Sequence, residues 1–139
     1  MSVEENKAVT RGFIEAFSRH DLDGCEPFLD ENIVVHGFAG LPPGRDAFRG
    51  VGEMFLAAFP DGTVAIEDML ADGDKVATRY MYTGTHQGEL QGIPATGKQI
   101  AVPGIAIDRI VGGKIVERFD ILDQMALLQQ LGVMPAPGQ

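Results

Sequence analysis

Three carboxylates fall within seven residues of the closing stretch Lys114–Asp123: Glu117, Asp120 and Asp123. A carboxyl group on an otherwise apolar strand face can remove a carbon-bound proton and return it to an alkoxide, because burial brings its pKa toward working pH. Alternation puts Ile115, Glu117, Phe119, Ile121 and Asp123 on one face, and Lys114, Val116, Arg118, Asp120 and Leu122 on the other. The odd-numbered face is the more apolar, so it is expected to point inward. Asp123 at its far end is then the first candidate for an acid/base; its other role would be to cap a helix starting at Gln124. Asp120 takes the catalytic place if a bulge shifts the register. Otherwise it forms a salt bridge beside Arg118 on the outer face. Glu117 lies roughly 20 Å from Asp123 at strand rise, too far for a dyad, and suits an ion pair with Arg79 or Arg109.

His86 ends a strand whose same face carries Val76, Thr78, Tyr80, Tyr82 and Gly84. If this face looks inward, it hydrogen-bonds a substrate carbonyl or assists the acid; otherwise it anchors the loop that follows. His36, beside Phe38, stands at a pocket mouth or is simply exposed. His20, after the first helix, is read as structural. Phe13, Phe17, Phe55 and Phe59 recur at helical spacing and, with Tyr80, Tyr82 and Phe119, form core or cavity wall. The three histidines are far apart, with no H-x-x-x-H or paired-cysteine pattern, so no metal is expected. No G-x-G-x-x-G follows a strand into a helix, so a dinucleotide is not indicated, and no G-x-S-x-G elbow is present. The single cysteine, Cys25, forms no internal disulfide and reads as a small buried hydrophobe.

These residues need elements to hold them. Ser2 with Glu5 is a capping box opening a helix with Val9, Phe13, Ala16 and Phe17 on one face. Asp21 caps a short second helix. Asn32–His36 reads as a strand, and Arg45 to about Phe59 as a third helix stopped by Pro60-Asp61-Gly62. Thr63–Leu70, Lys75–His86, Gln99–Ile110 and Lys114 to about Asp123 read as strands joined by hairpins at Ala71-Asp72-Gly73-Asp74 and Gly112-Gly113, with a Gly- and Pro-bearing excursion between the middle two. Pro103-Gly104 demands an edge or a bulge. Met125–Leu131 is a closing helix, ended by Gly132. Helices followed by consecutive hairpins predict an α+β fold: a curved antiparallel sheet, closed by the N-terminal helices into a cone around an apolar pocket.

The chain of 139 residues suits one domain, 1–139, with residues 133–139 as a loose tail. A net charge of -9 argues against nucleic acid and anionic membranes as partners. The opening Met1-Ser2-Val3-Glu4-Glu5 is acidic and polar, unlike a secretory signal, and no apolar run is long enough to span a membrane, so a cytoplasmic location is expected.

The stretches Gly84-Thr85-His86-Gln87-Gly88-Glu89-Leu90-Gln91-Gly92-Ile93-Pro94-Ala95-Thr96-Gly97-Lys98 and Gly113-Lys114-Ile115-Val116-Glu117-Arg118-Phe119-Asp120-Ile121-Leu122-Asp123-Gln124 resemble signatures of the SnoaL-like polyketide cyclases. So do Leu127-Leu128-Gln129-Gln130-Leu131-Gly132, the Asp21-Leu22-Asp23 helix and the Leu41-Pro42-Pro43-Gly44 loop; the similarity spans nearly the whole chain. The resemblance implies the cone fold of nuclear transport factor 2 and ketosteroid isomerase, and a homodimer or higher homo-oligomer that pairs sheet faces. It also implies a cofactor-independent intramolecular aldol on a small apolar molecule held in the cone, with Asp123 matching the family's catalytic aspartate by motif position. Members often carry Trp where this chain has Phe119, which implies a pocket of different size. Two other functions fit the same cone. One is ligand binding without chemistry. The other is epoxide hydrolysis, which would need an Asp–Arg–Asp cluster to activate water; Arg79 and Arg109 are its candidate cations.

Overall fold

The computed structural model describes residues 2–135. The capping box forms as the sequence predicts: Ser2 Oγ accepts from the Glu5 amide and Glu5 Oε1 from the Ser2 amide, opening α1 (Val3–Ser18). Asp21 caps α2 (Leu22–Cys25), a 3-10 turn follows (Glu26–Phe28), and β1 spans Leu29–His36. Next come α3 (Arg45–Ala58), then β2 (Thr63–Asp72), β3 (Lys75–Thr85), β4 (Gln99–Val111) and β5 (Lys114–Leu122), and last α4 (Gln124–Gln130). The part of the expected tail beyond Pro135 lies outside the described residues. No helix among the described residues is long and apolar enough to cross a membrane.

The strands form one curved sheet in the order β1-β5-β4-β3-β2. It is mixed, not wholly antiparallel: the hairpins β2–β3, β3–β4 and β4–β5 are antiparallel, but β1 runs parallel to β5. Hairpin turns announce local pairings, whereas the β1–β5 contact joins segments some eighty residues apart and leaves no local signal. α1 lays Val9, Phe13 and Ile14 over Ile33, Val76, Ile110 and Ile115. A second cluster joins Phe59, Tyr82, Ile100 and Val102 to Leu127 and Leu131 of α4.

The inward face of β5 differs from simple alternation. Ile110 of β4 pairs with Ile115, but Arg109 pairs with Glu117, so Val116 is an extra residue, a β-bulge. Before the bulge Ile115 is buried; after it Arg118 is buried, Asp120 and Leu122 turn toward the cavity, and Phe119 and Ile121 turn to solvent. One inserted residue exchanges the faces of everything that follows. The outer face is itself apolar, carrying Ile105, Ile107, Phe119 and Ile121, so hydrophobicity did not mark the inside.

Pro103 sits in an interior strand without a bulge, opposite Met81 of β3. Its carbonyl accepts from the Asp123 amide at 3.0 Å, just past the last β4–β5 pair, Gly104↔Leu122. The side on which an N–H would be needed is therefore already an edge, which accommodates proline. Beyond it α4 takes over: the Gln130 side-chain amide accepts from Ala101 N at 2.7 Å and donates to Ala101 O at 2.9 Å, standing in for a neighbouring strand.

Candidate active site

Between the concave sheet face and the first three helices lies a cavity of about 110 Å³. Phe13, Ile14 and Phe17 of α1 and Phe48, Val51 and Phe55 of α3 wall it on the helical side, with Phe38 from the loop after β1. Val64, Tyr80, Tyr82 and Leu122 line it from the sheet. The aromatic rings brace one another: Phe55 meets Tyr82 edge-on at 5.7 Å and Phe13 lies 5.8 Å from Phe48.

Into this apolar space projects Asp120, its side chain 13% exposed. Tyr80 donates to Asp120 Oδ1 at 2.6 Å, and Arg118 Nε donates to Oδ2 at 3.3 Å. Each oxygen has a second lone pair available to a ligand. Tyr80 reaches across because its cross-strand partner is Gly104, where any Cβ would collide with the phenol ring. Burial first, and the adjacent carboxylate second, push the Tyr80 hydroxyl well above its ordinary pKa, so it stays a proton donor.

Arg118 is almost fully enclosed, over the Phe13 ring at 5.1 Å, and its Nη1 donates to both oxygens of Asp108 at 2.9 Å. Thr10 donates to Asp108 Oδ2 at 3.0 Å. Burial alone would lower the guanidinium's pKa, but Asp108 and Asp120 outweigh it and hold it charged. Burial pushes the Asp108 carboxyl up, while Arg118 and Thr10 pull it down. The single nitrogen Nη1 meets both carboxylate oxygens in short, charge-assisted contacts, so Asp108 and Arg118 act as a buried ion pair that fixes the guanidinium against Asp120. The result is one polar chain, Thr10–Asp108–Arg118–Asp120–Tyr80, ending in the cavity.

The other expected site residues are distributed differently. Asp123 is exposed and its Oδ1 accepts from the Ala126 amide at 3.0 Å, so it caps α4 and does not line the cavity. Phe13, Phe17, Phe55, Tyr80 and Tyr82 do line it. Phe59 is buried but packs behind Tyr82, outside the cavity. His86 is fully buried away from the cavity; its Nδ1 accepts from the Thr96 amide at 3.2 Å and ties down the loop after β3. His36 lies on the outer face, stacked on Phe119 at 4.2 Å and 2.9 Å from Glu117. The Phe119 ring is therefore part of the outer surface and does not set pocket size. Glu117 pairs there with Arg109 at 3.6 Å as well. Arg79 is exposed and makes no contact with Asp120.

Sequence reasoning did not find Asp108, Thr10 or the inward placement of Arg118. A signal existed for the first: β4 is apolar or glycine at every inward position from Ile100 to Ile110 except Asp108. A carboxylate in that series requires a buried counter-ion on a neighbouring strand.

The family model of the SnoaL-like polyketide cyclases matches residues 7–131. The aklanonic acid methyl ester cyclase DauD of Streptomyces sp. (strain C5) is 38% identical over 131 residues, covering 89% of this chain and 80% of its own. The aklanonic acid methyl ester cyclase DnrD of Streptomyces peucetius is 28% identical over 128 residues, covering 89% and 88%. Among solved structures, AclR from Streptomyces galilaeus, a candidate hydroxylase, superposes with a TM-score of 0.88 at 31% identity, over 99% of this chain and 87% of its own. IdmH from Streptomyces antibioticus, a candidate polyketide cyclase, gives 0.80 at 34%, over 91% and 98%. Sequence and fold agree over nearly the whole length, and the chain belongs to the SnoaL-like polyketide cyclase family.

Proposed function

We propose that the protein is a cofactor-independent cyclase that closes a ring by intramolecular aldol addition, with Asp120 as the acid/base. The observation that carries this reading is the Asp120 carboxylate in an apolar cavity, held by Tyr80 and Arg118 yet with lone pairs free. Asp120 removes a proton from carbon next to a ketone or ester. The resulting enolate spreads its charge over the substrate's conjugated carbonyls and attacks a second carbonyl. The proton held by Asp120 then passes to the new alkoxide, which restores the carboxylate. The carboxylate must stay aimed at one carbon throughout, and the Arg118–Asp108 pair supplies that orientation.

The test is Asp120→Asn. Ring closure of an enolisable keto ester, or deuterium exchange at its acidic carbon, should fall roughly 10²–10⁴-fold while the fold is kept. Unchanged rates would discard the assignment; binding of ligands without any turnover would instead favour a carrier.

A second reading is favoured by one specific feature: Asp108–Arg118–Asp120 is an Asp–Arg–Asp arrangement, the kind of cluster that could activate water on an epoxide. Its cation is Arg118, in place of Arg79 or Arg109. Turnover in heavy-oxygen water separates the two, since hydrolysis incorporates the label in a diol and aldol closure does not.

We also propose that a second copy of the chain covers the apolar outer face, giving the homodimer or higher homo-oligomer that the family resemblance implies.

A further inference from the structure

Two arginines one helical turn apart on α3, Arg45 and Arg49, line the cavity, and they differ in their surroundings. Arg49 is surrounded by carboxylates: Asp23 at 2.8 Å, Glu26 at 3.0 Å and Glu53 at 3.6 Å. Arg45 has no acidic partner among the described residues. Its one hydrogen bond is a long contact from Nη1 to the Leu29 carbonyl at 3.5 Å, and its Nε is buried without any acceptor. A buried donor left unmatched costs free energy, and more so on a charged group. The remaining charges on the cavity wall are accounted for. Glu26 is held by Arg49, and Arg118 stands between Asp108 and Asp120. Among the described residues Arg45 is thus the cation on this wall without a carboxylate partner, half-buried and with its Nε free for a ligand.

We infer that Arg45 is a substrate-recognition residue that takes an anionic oxygen group, a carboxylate or a comparably acidic enol, on the ligand in the cavity. The planar guanidinium presents Nε–H and an Nη–H side by side, which matches the two oxygens of a carboxylate. The cavity around it is otherwise aromatic and aliphatic, so the ligand pairs an apolar ring body with one acidic edge. This inference deepens the reading above by taking its cavity as the substrate site, but it depends on binding alone and not on the chemistry assigned to Asp120.

The experiment compares two probes with the same ring body, 2-naphthoate and its uncharged methyl ester, which differ in charge and one methyl group, binding to the wild-type protein and to Arg45→Gln, Arg45→Lys and Arg49→Gln. The wild type should bind the carboxylate about tenfold or more tightly than the ester, the scale of a charge-assisted hydrogen bond. Arg45→Gln should erase that preference and leave ester affinity unchanged, which also reports an intact cavity. Arg49→Gln should keep the preference. If Arg45→Gln binds neither probe, Arg45→Lys decides: a preference kept by the cation supports the inference, and its absence overturns it. A wild-type protein that does not favour the carboxylate, or an Arg45→Gln variant that still does, also overturns it. An inactive Asp120→Asn variant that retains the preference would leave this inference standing, whereas the same preference beside undiminished Asp120→Asn turnover would remove only the acid/base assignment.

Discussion

Two aspartates three residues apart carry opposite assignments. Asp123 satisfies an orphan amide at the start of α4, and Asp120 faces the cavity. Asp123→Ala should therefore lower stability by about 1 kcal/mol, the worth of an N-cap. It should leave kcat within about twofold, against a loss of at least about a hundredfold in Asp120→Asn. Thermal unfolding and a ring-closure assay on the two variants check this, and a large kcat loss in Asp123→Ala would reverse the assignment. Cys25 also borders the cavity, but burial pushes its thiol up to about 11. Iodoacetamide at pH 8 should label it on the order of a hundredfold more slowly in the folded protein than in urea. The neighbouring Asp21 adds to the shift and Arg19 and Arg49 only partly oppose it, so no thiolate is available for chemistry at neutral pH.

At the scale of elements, the site depends on features of strands that carry no catalytic group. Gly104 is the seat of the Tyr80 ring. Gly104→Ala should push Tyr80 off Asp120 and reduce kcat by about tenfold or more, a loss that Tyr80→Phe should reproduce, with a stability cost of about 1.5–3 kcal/mol for the lost hydrogen bond to a carboxylate. Equal kcat in Gly104→Ala and the wild type would show that the Tyr80 contact is dispensable. The open edge of β4 is closed by a side chain in place of a strand, through Gln130 and Ala101. Gln130→Ala exposes two backbone groups and should cost about 1–2 kcal/mol in chemical denaturation, with faster hydrogen exchange at the Ala101 amide.

For the molecule as a whole, the outer sheet face is the unusual surface. Ile105 and Ile121 sit directly opposite one another, as do Ile107 and Phe119, and all four are between 42% and 65% exposed. A contiguous apolar patch of this kind is normally covered by a partner. If a second copy covers it, Ile105→Lys combined with Ile121→Glu should convert the assembly to a monomer in sedimentation analysis and leave the cavity's ligand binding intact. A wild-type protein that sediments as a monomer at micromolar concentration would remove the proposal.

The order of elements, the caps of α1 and α2, and the aromatic walls from Phe13, Phe17, Phe55, Tyr80 and Tyr82 were legible in the sequence, and boundaries fell within about two residues except at β1, which begins at Leu29 and not Asn32. The cap of α4 was legible only as the alternative to a catalytic Asp123. Local propensity, capping chemistry and periodicity act over a few residues and are written there directly. The identity of the carboxylate was not. It turned on a single extra residue, Val116, which exchanges the faces of β5, and a bulge is produced by pairing with both neighbouring strands. Hydrophobicity could not correct the reading, because the outer face is apolar and the inner face carries Arg118 and Asp120, which pair with each other and with Asp108 of β4 and Tyr80 of β3. Only the tertiary structure brings Asp108 of β4, Tyr80 of β3 and Thr10 of α1 to them, and only it leaves Arg45 without the carboxylates that surround Arg49. Charge compensation is decided by which side chains meet in space, and spacing along the chain does not record it.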